Sequence, residues 1–228
     1  PDTSWEEIAP LNPKGFILSG GPSSVYEPKA LLAQAYIYER RLPVLGICYG
    51  MQVFTKQLGG RVTPGTKREY GYAVLHLSDV DSPLLADLPV SSPVWMSHAD
   101  QIDKMPPGFS TLAYTENSPL AVIGNGEGVF GLQFHPEVAH TPEGKTILRN
   151  FVYRVCGSAG NWTMGNFVNE NVATIKDQVG EGKVINALSG GVDSAVVATI
   201  IHRAIGNQLT CIFVNNGLLR REEVERTF

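Results

Sequence analysis

The sequence is poor in cysteine and contains no cysteine pair with metal-ligand spacing. Its three cysteines are Cys48, Cys156 and Cys211. An odd, scattered set without a C-x-x-C pair argues against a disulfide framework and a zinc site. We therefore expect reduced thiols of a cytoplasmic protein, with Cys156 and Cys211 buried in apolar segments. Cys48 has different surroundings, described below.

Long apolar runs and a basic excess are also missing. No stretch approaches the ~20 apolar residues of a membrane span, and the first ten residues have no signal-peptide pattern. With 18 basic and 22 acidic residues the net charge is −4, which argues against a nucleic-acid partner. The sequence begins at Pro1 without Met and stops inside Leu218–Phe228, a charged stretch with helical pattern. We interpret it as a fragment of a longer soluble enzyme.

Short apolar strands alternate with helical patterns in the first half of the chain. The pattern predicts strands at Gly15–Ser19 and Pro43–Ile47, and helices at Pro28–Arg41 and Tyr49–Leu58. Such alternation is typical of βαβ units in a parallel sheet.

The middle of the chain is richer in strand patterns. Strands are predicted at Ala73–Leu77, Pro93–Ser97, Thr111–Thr115, Leu120–Gly124 and Val129–Phe134. A helix follows, with Thr141 as its predicted cap and Pro142 in its first turn. The fold class is therefore α/β, with an open mixed or parallel sheet flanked by helices.

A small, polar segment near residue 160 divides the chain. We expect a first domain over residues 1–157, a linker and bridging helix over 158–180, and the start of a second α/β domain over 181–228. The bridging helix is predicted at about Phe167–Val179. The second domain contains predicted strands at Val184–Leu188 and Leu209–Val214 around a helix at Ser194–Ile205.

Cys48 lies between a predicted buried strand and a helix, in the run Gly46-Ile-Cys48-Tyr-Gly50. This is the pattern of a nucleophile elbow with Cys in place of Ser, in which glycines on both sides allow a sharp turn. A thiol at a helix N-terminus beside a cationic His has its pKa lowered from ~8.5 to ~3.5–7.5. The alternative is a small buried residue in a tight turn.

Two further segments offer groups for the same chemistry. In Gln133-Phe-His135-Pro-Glu137, at the end of a predicted strand, a two-residue period directs His135 and Glu137 the same way. The Glu could then orient the imidazole, as in a catalytic triad. The turn Ser19-Gly20-Gly21-Pro22 presents backbone N–H groups that suit an oxyanion hole. Taken alone, each segment would be interpreted first as an ordinary surface loop or turn.

Taken in order, S-G-G-P, G-x-C-x-G-M-Q and Q-F-H-P-E resemble the class I (triad) glutamine amidotransferases over about residues 11–157. The resemblance implies that Cys48 attacks the glutamine amide, forms a glutamyl thioester and releases ammonia. His135 is then the base and later the acid, and Glu137 is its orienting partner.

The same resemblance implies roles for three further residues. Gly21 and Tyr49 would supply the oxyanion N–H donors, and Gln52 would help to bind glutamine. The segment Trp95–Asp100 resembles the family's substrate-side loop, where the usual residue at Ala99 is Gly. We interpret His98, in this loop, as a structural or substrate-contact residue.

The second half contains a glycine loop, Ser189-Gly190-Gly191-Val192-Asp193-Ser194, between a predicted strand and a helix. Glycine N–H groups at a helix N-terminus suit phosphate. The loop lacks the lysine of the ATPase P-loop, and it resembles the pyrophosphate loop of the N-type ATP pyrophosphatases. That resemblance implies ATP bound by Ser189–Ser194, with Asp193 near Mg²⁺.

A triad amidotransferase joined to such a loop resembles the GMP synthase family. This implies ATP-dependent amination of xanthosine monophosphate (XMP) to GMP, with AMP and pyrophosphate as products and a homodimer formed through a later domain. At Asn215 the family often has Asp, so a metal role there is in doubt. The alternatives are another class I amidotransferase or an inactive fragment that serves as a binding module. We expect the fragment alone to lack full synthetase activity.

Overall fold

The computed structural model describes residues 2–214, without the side chains of residues 66–68. The chain forms two compact units, of which the first ends at Ala159 and the second begins at Gly160. The interpretations of Asn215 and of Leu218–Phe228 fall outside the described residues. Within residues 2–214, no helix combines the length and the apolar character needed to cross a membrane.

The first unit is built around one seven-stranded sheet. Its strands are β1 (Phe16–Leu18), β2 (Val44–Ile47), β3 (Arg61–Leu77), β4 (Ser91–Lys104), β5 (Ser110–Tyr114), β6 (Val122–Gly124) and β7 (Val129–Leu132). Its helices are α1 (Trp5–Ile8), α2 (Tyr36–Glu39), α3 (Tyr49–Gln57) and α4 (Gly144–Asn150), with a 3₁₀ turn at Ala9–Leu11 and a π-helical turn at Phe151–Val155.

The strand order is β1-β2-β7-β6-β5-β3-β4. The pairs β1–β2 and β2–β7 are parallel, whereas all other pairs are antiparallel. The predicted open mixed sheet flanked by helices is therefore confirmed. Because β2 and β7 are parallel neighbours, their carboxyl ends lie side by side, and the residues that follow both strands meet at one edge of the sheet.

Buried apolar side chains on these strands form the main core. β2 is buried along its whole length, and Phe130 and Leu132 of β7 pack in the same cluster as Leu45. On α3, Met51 and Phe54 are fully buried. Burial of a side chain of this size contributes roughly 1.5–3 kcal/mol, so this core fixes the two strand ends that precede the site.

The hairpin β3–β4 is much longer than the sequence indicates. β3 has 17 residues and pairs with β4 from Arg61 to His76. Pro64 and Gly65 lie inside β3, where such residues indicate a loop. The register shifts between Pro64 and Glu69, and this irregularity accommodates them.

The prediction of a helix over Pro28–Arg41 is wrong for most of its length. Only Tyr36–Glu39 is helical, and Leu31 and Leu32 are exposed. Gln57 of α3 replaces the missing helical hydrogen bonds at Ala33, accepting from the Ala33 N–H at 3.1 Å and donating to the Ala33 carbonyl at 2.8 Å. A distant side chain thus stabilises an irregular backbone there.

The second unit contains α5 (Met164–Val179), β8 (Val184–Leu188), α6 (Val192–Ile205) and β9 (Leu209–Phe213). A 3₁₀ turn at Gly206–Gln208 precedes β9, and β8 and β9 are parallel. The predicted order of elements is therefore confirmed. The prediction that Cys211 is buried is wrong, because three successive residues of β9 around it are exposed. Cys156, in the first unit, is half-buried.

Candidate active site

Cys48 lies in a strained turn between β2 and α3. Its φ of 50° and ψ of −105° are unusual for a residue with a side chain, and such conformations cost about 1–3 kcal/mol. Its N–H donates to the Leu132 carbonyl at 2.6 Å and so continues the pairing of β2 with β7. The sharp turn of a nucleophile elbow is therefore present, with Cys48 itself in the strained position.

The flanking glycines serve close packing rather than the turn itself. Neither Gly46 nor Gly50 has a positive φ. A Cβ atom on Gly50 would lie 2.0 Å from the Leu18 carbonyl oxygen, and one on Gly46 would lie 2.6 Å from the Met51 nitrogen. Only glycine allows α3 to approach β1 and β2 this closely.

His135 and Glu137 form a direct pair beyond the end of β7. His135 Nδ1 lies 2.6 Å from Glu137 Oε1. The His135 N–H donates to the Trp95 carbonyl at 3.1 Å, and the His135 carbonyl accepts from the Thr141 hydroxyl at 2.7 Å. These two contacts therefore fix the main chain of His135, while the Glu137 carboxylate orients its imidazole ring.

Thr141 does not cap α4, contrary to the prediction. Glu143 is the N-cap residue of that helix. The Thr141 hydroxyl instead accepts from the Trp95 N–H at 3.1 Å while it donates to His135. A hydroxyl that accepts and donates in this way connects β4 to the turn that carries the imidazole.

Gly20 brings the thiol and the imidazole to one place. A Cβ atom built on Gly20 would lie 2.9 Å from His135 Cε1 and 3.7 Å from Cys48 Cβ. Cys48 and His135 also line one cavity of about 480 Å³, together with Gly21 and Gln52. This volume suits a small ligand such as an amino acid.

Burial raises the pKa of the Cys48 thiol to about 11. The backbone N–H of Tyr49 lowers this pKa, while the charges of Glu137 and Asp100 raise it further. The expectation of a lowered pKa is therefore wrong for the side-chain arrangement described here. The thiol is protonated near pH 7, and a nucleophilic sulfur requires transfer of its proton to a base.

Two contacts of the sulfur were missed by sequence reasoning. The Cys48 thiol donates to the Ser97 carbonyl at 3.6 Å, and the Gln133 amide approaches the sulfur at 3.9 Å. Gln133 is fully buried. Gln133 lies two residues before His135 and so on the same phase of the extended segment, a signal that sequence reasoning did not use.

The predicted oxyanion donors lie at the same end of the sheet. Gly21 lines the cavity, and Tyr49 is the first residue of α3. A Cβ atom on Gly21 would lie 3.4 Å from the Tyr49 ring, so the two residues are neighbours. The Tyr49 hydroxyl donates to the Leu31 carbonyl at 2.9 Å, and the Tyr49 backbone N–H follows Cys48 in the chain and lowers the pKa of its thiol.

Asp100 joins three parts of the cavity wall. Its carboxylate accepts from the Ser24 hydroxyl at 2.5 Å and from the Tyr26 hydroxyl at 2.8 Å. Its carbonyl accepts from the Gln52 amide at 3.4 Å and contacts His98 Nδ1 at 3.0 Å. The segment that follows the glycine turn, α3 and β4 thus converge on one residue. The sequence separation of 76 residues between Ser24 and Asp100 conceals this.

The glycine loop of the second unit lies between β8 and α6. Gly190 has a φ of 81°, and Gly191 is the N-cap residue of α6. The Ser189 and Ser194 hydroxyls hydrogen-bond to each other at 3.1 Å, and Ser194 also accepts from the Ser189 N–H at 3.2 Å. Val192 and Asp193 occupy the exposed first turn of α6. The N–H groups of a first helical turn lack acceptors within the helix, and this arrangement suits an anion.

The fold and the first site define a class of protein. A protein-family sequence model described as class-I glutamine amidotransferase matches residues 1–155. The chain belongs to this family. A glutamine amidotransferase of known structure from Thermotoga maritima has the same fold, with a TM-score of 0.56 and 22% identity. That likeness covers 69% of this chain and 82% of the other.

The relatives of known name are longer than this chain. The chain is 66% identical over 226 residues to the glutamine-hydrolysing GMP synthase of Dehalococcoides mccartyi strain CBDB1. The matched region covers 99% of this chain and 42% of that relative. Identity to the enzyme of the same name from Aquifex aeolicus is 53%, over 99% of this chain and 45% of the relative. A second model, described as NAD synthase, matches residues 164–226. The chain thus spans less than half the length of these relatives.

Proposed function

We propose that the first unit hydrolyses glutamine with Cys48, His135 and Glu137. The observation that carries this proposal is the strained Cys48 beside an imidazole that is already paired with a carboxylate at 2.6 Å. Both side chains line a cavity of about 480 Å³. The nucleophile Cys48, the base His135 and the orienting carboxylate of Glu137 therefore follow one another as acyl transfer requires.

The reaction begins at a neutral thiol. His135 takes the Cys48 proton as the sulfur attacks the glutamine carboxamide, and Glu137 stabilises the resulting imidazolium. The N–H groups of Gly21 and Tyr49 hold the oxyanion of the tetrahedral intermediate, where one donor contributes about 2.7–4 kcal/mol. His135 then returns the proton to the leaving ammonia, and water hydrolyses the glutamyl thioester. Gln52 helps to hold the glutamine.

The ammonia would serve an ATP-dependent synthetase in the longer protein. We propose that this synthetase converts XMP to GMP, with AMP and pyrophosphate as products. The proposal is supported by 66% identity to a relative named glutamine-hydrolysing GMP synthase. The Ser189–Ser194 loop would hold the phosphates of ATP through its N–H groups and hydroxyls.

Asp193 is the residue that would contact Mg²⁺. Magnesium is usually held by one or two carboxylates together with substrate phosphates. Asp193 lies in the first turn of α6, next to the loop, and residues 2–214 contain no group of three acidic, His or Cys side chains that could hold a metal. One carboxylate beside a phosphate-binding loop fits an ion that arrives with the nucleotide and neutralises phosphate charge. From the resemblance to GMP synthases, we also propose that the longer protein forms a homodimer and is located in the cytoplasm.

A comparison of two nitrogen sources tests both halves of this function. In the full-length protein, Cys48→Ala should abolish glutamine-dependent GMP formation and leave ammonium-dependent GMP formation intact. Loss of both activities would contradict the separation of the two sites. Equal glutaminase activity in wild type and Cys48→Ala would refute the role of Cys48. ATP-independent glutaminase without XMP amination would favour another class I amidotransferase, and glutamine binding without hydrolysis would favour a binding module.

A further inference from the structure

A second His–Glu pair lies behind the cavity that contains Cys48. Glu69 of β3 is directly opposite His98 of β4 in the sheet register. Their atoms Glu69 Oε2 and His98 Nε2 lie 3.4 Å apart, and both side chains are more than nine-tenths buried. His98 lines the cavity of Cys48, whereas Glu69 lines a separate cavity.

The facing atoms require a proton between them. His98 Nδ1 lies 3.0 Å from the Asp100 carbonyl, which can only accept, so Nδ1 carries a hydrogen. Apart from their mutual contact, His98 Nε2 and Glu69 Oε2 have no hydrogen-bond partner in the structure. A lone pair on Nε2 facing a carboxylate oxygen would be repulsive, so an attractive contact places a proton on one of the two atoms.

Glu69 is itself held from the opposite side. Its Oε1 accepts from the Thr115 hydroxyl at 3.3 Å, and the Thr115 oxygen accepts from the Ser118 N–H at 3.0 Å. The chain of contacts therefore runs from the end of β5 through Glu69 and His98 to the Asp100 carbonyl. That carbonyl also accepts from Gln52, which lines the cavity.

We infer that Glu69 is a positioning residue that acts through His98 to hold the Asp100 backbone. Through the Asp100 carbonyl it also holds Gln52, and with it the part of the cavity wall at which we propose that glutamine binds. This inference rests on the proposed glutaminase function. Glu69 touches neither Cys48 nor His135 in the described structure, so its loss affects the wall where glutamine is bound rather than the sulfur chemistry. We therefore expect loss of Glu69 to raise KM for glutamine and to leave kcat nearly unchanged.

Substitutions at Glu69 and His98 test this inference. Glu69→Ala should raise KM for glutamine roughly tenfold, as expected for loss of one hydrogen bond to a charged group, with kcat within about threefold. Glu69→Gln should restore KM to within about threefold, because its amide group can either donate to or accept from His98 Nε2. In a His98→Asn background, Glu69→Ala should change KM by less than about twofold.

Several outcomes would overturn the inference. One is an unchanged KM in an active Glu69→Ala variant. Another is an equal effect of Glu69→Ala on KM with and without His98. A third is an equal fall in kcat for Glu69→Ala and Glu69→Gln, which would indicate a general structural defect.

A ¹⁵N NMR measurement of the His98 ring gives a readout that needs no turnover. Glu69→Ala should shift the Nε2 resonance in the folded chain, and an unshifted resonance refutes the inference even in a chain without activity. Wild type that hydrolyses no glutamine, with the Nε2 shift observed, would refute the proposed function alone.

Discussion

The Cε1 atom of His135 lies 2.9 Å from the position that a Cβ atom would occupy on Gly20. Real Cβ atoms essentially never make contacts under 3.0 Å, so any side chain at this position must displace the imidazole or the glycine turn. The same hypothetical atom lies 3.7 Å from Cys48 Cβ. Gly20 thus determines how closely the turn, the thiol and the base can assemble.

Gly20→Ala should reduce glutaminase kcat by about tenfold, because relief of this contact moves the imidazole or the turn by a fraction of the ~1 Å shift that costs about 10²-fold. Steady-state glutaminase kinetics measure the change. Gly165→Ala is the matched control, since a Cβ atom there would have no neighbour closer than 3.9 Å. Normal kcat in Gly20→Ala would show that the imidazole is not confined as described.

Thr141 should support catalysis through its two hydroxyl contacts. Thr141→Val removes the hydrogen bonds to the His135 carbonyl and the Trp95 N–H and leaves two partly buried groups without these partners, at up to about 1–3 kcal/mol each. We expect kcat to fall at least tenfold. Thr141→Ser retains the hydroxyl and should retain most of the activity. Equal kinetics for Val and Ser would contradict this role.

The raised pKa of Cys48 predicts a particular pH dependence of alkylation. With a pKa of about 11, the thiolate fraction of the free protein is small at pH 8 and rises tenfold for each pH unit until about pH 11. The rate of reaction with iodoacetamide should follow this rise. A plateau that begins below pH 8 would instead indicate a thiolate–imidazolium pair in the resting protein.

Glu137→Gln should act on alkylation and on turnover in opposite directions. The Glu137 charge raises the pKa of Cys48, so removing it lowers that pKa and speeds alkylation at a fixed pH below 11. The same change removes the partner of the imidazolium and should lower kcat by about 10²–10⁴-fold. Slower alkylation in Glu137→Gln would contradict a resting protein in which the Cys48 thiol is neutral and the Glu137 charge raises its pKa.

The tight approach of α3 to β1 predicts a large stability effect at Gly50. A Cβ atom on Gly50 would lie 2.0 Å from the Leu18 carbonyl oxygen, and overpacking of this kind costs about 3 kcal/mol or more. Gly50→Ala should therefore lower the urea midpoint of the first unit strongly. Gly165→Ala should leave that transition unchanged. An unaffected midpoint in Gly50→Ala would refute the close packing of this turn.

The sequence allowed prediction of those features of the site that depend on short-range pattern. The strand–Cys48–helix turn follows from the apolar strand and the glycines around it, and the two-residue period predicts the pairing of His135 with Glu137. Parallel pairing of β2 with β7 then brings both motifs to one sheet edge. The helix predicted from Pro28 failed because Gln57, a residue of another helix, satisfies the backbone at Ala33.

Other features depend on contacts between distant residues and could not be inferred from pattern. The pKa of Cys48 is set mainly by burial, which is a property of the folded unit. Asp100 meets Ser24 and Tyr26 across more than seventy residues. Glu69 faces His98 only because β3 extends far beyond the strand that its apolar pattern indicates.

The most direct test is covalent trapping of Cys48 during turnover. We expect rapid acid quench with glutamine, followed by peptide mass spectrometry, to show one glutamyl group on the peptide that contains Cys48, and none on Cys156 or Cys211. Cys48→Ala should show no adduct. A protein that hydrolyses glutamine without acylation of Cys48, or that hydrolyses it equally well as Cys48→Ala, would contradict the proposed mechanism.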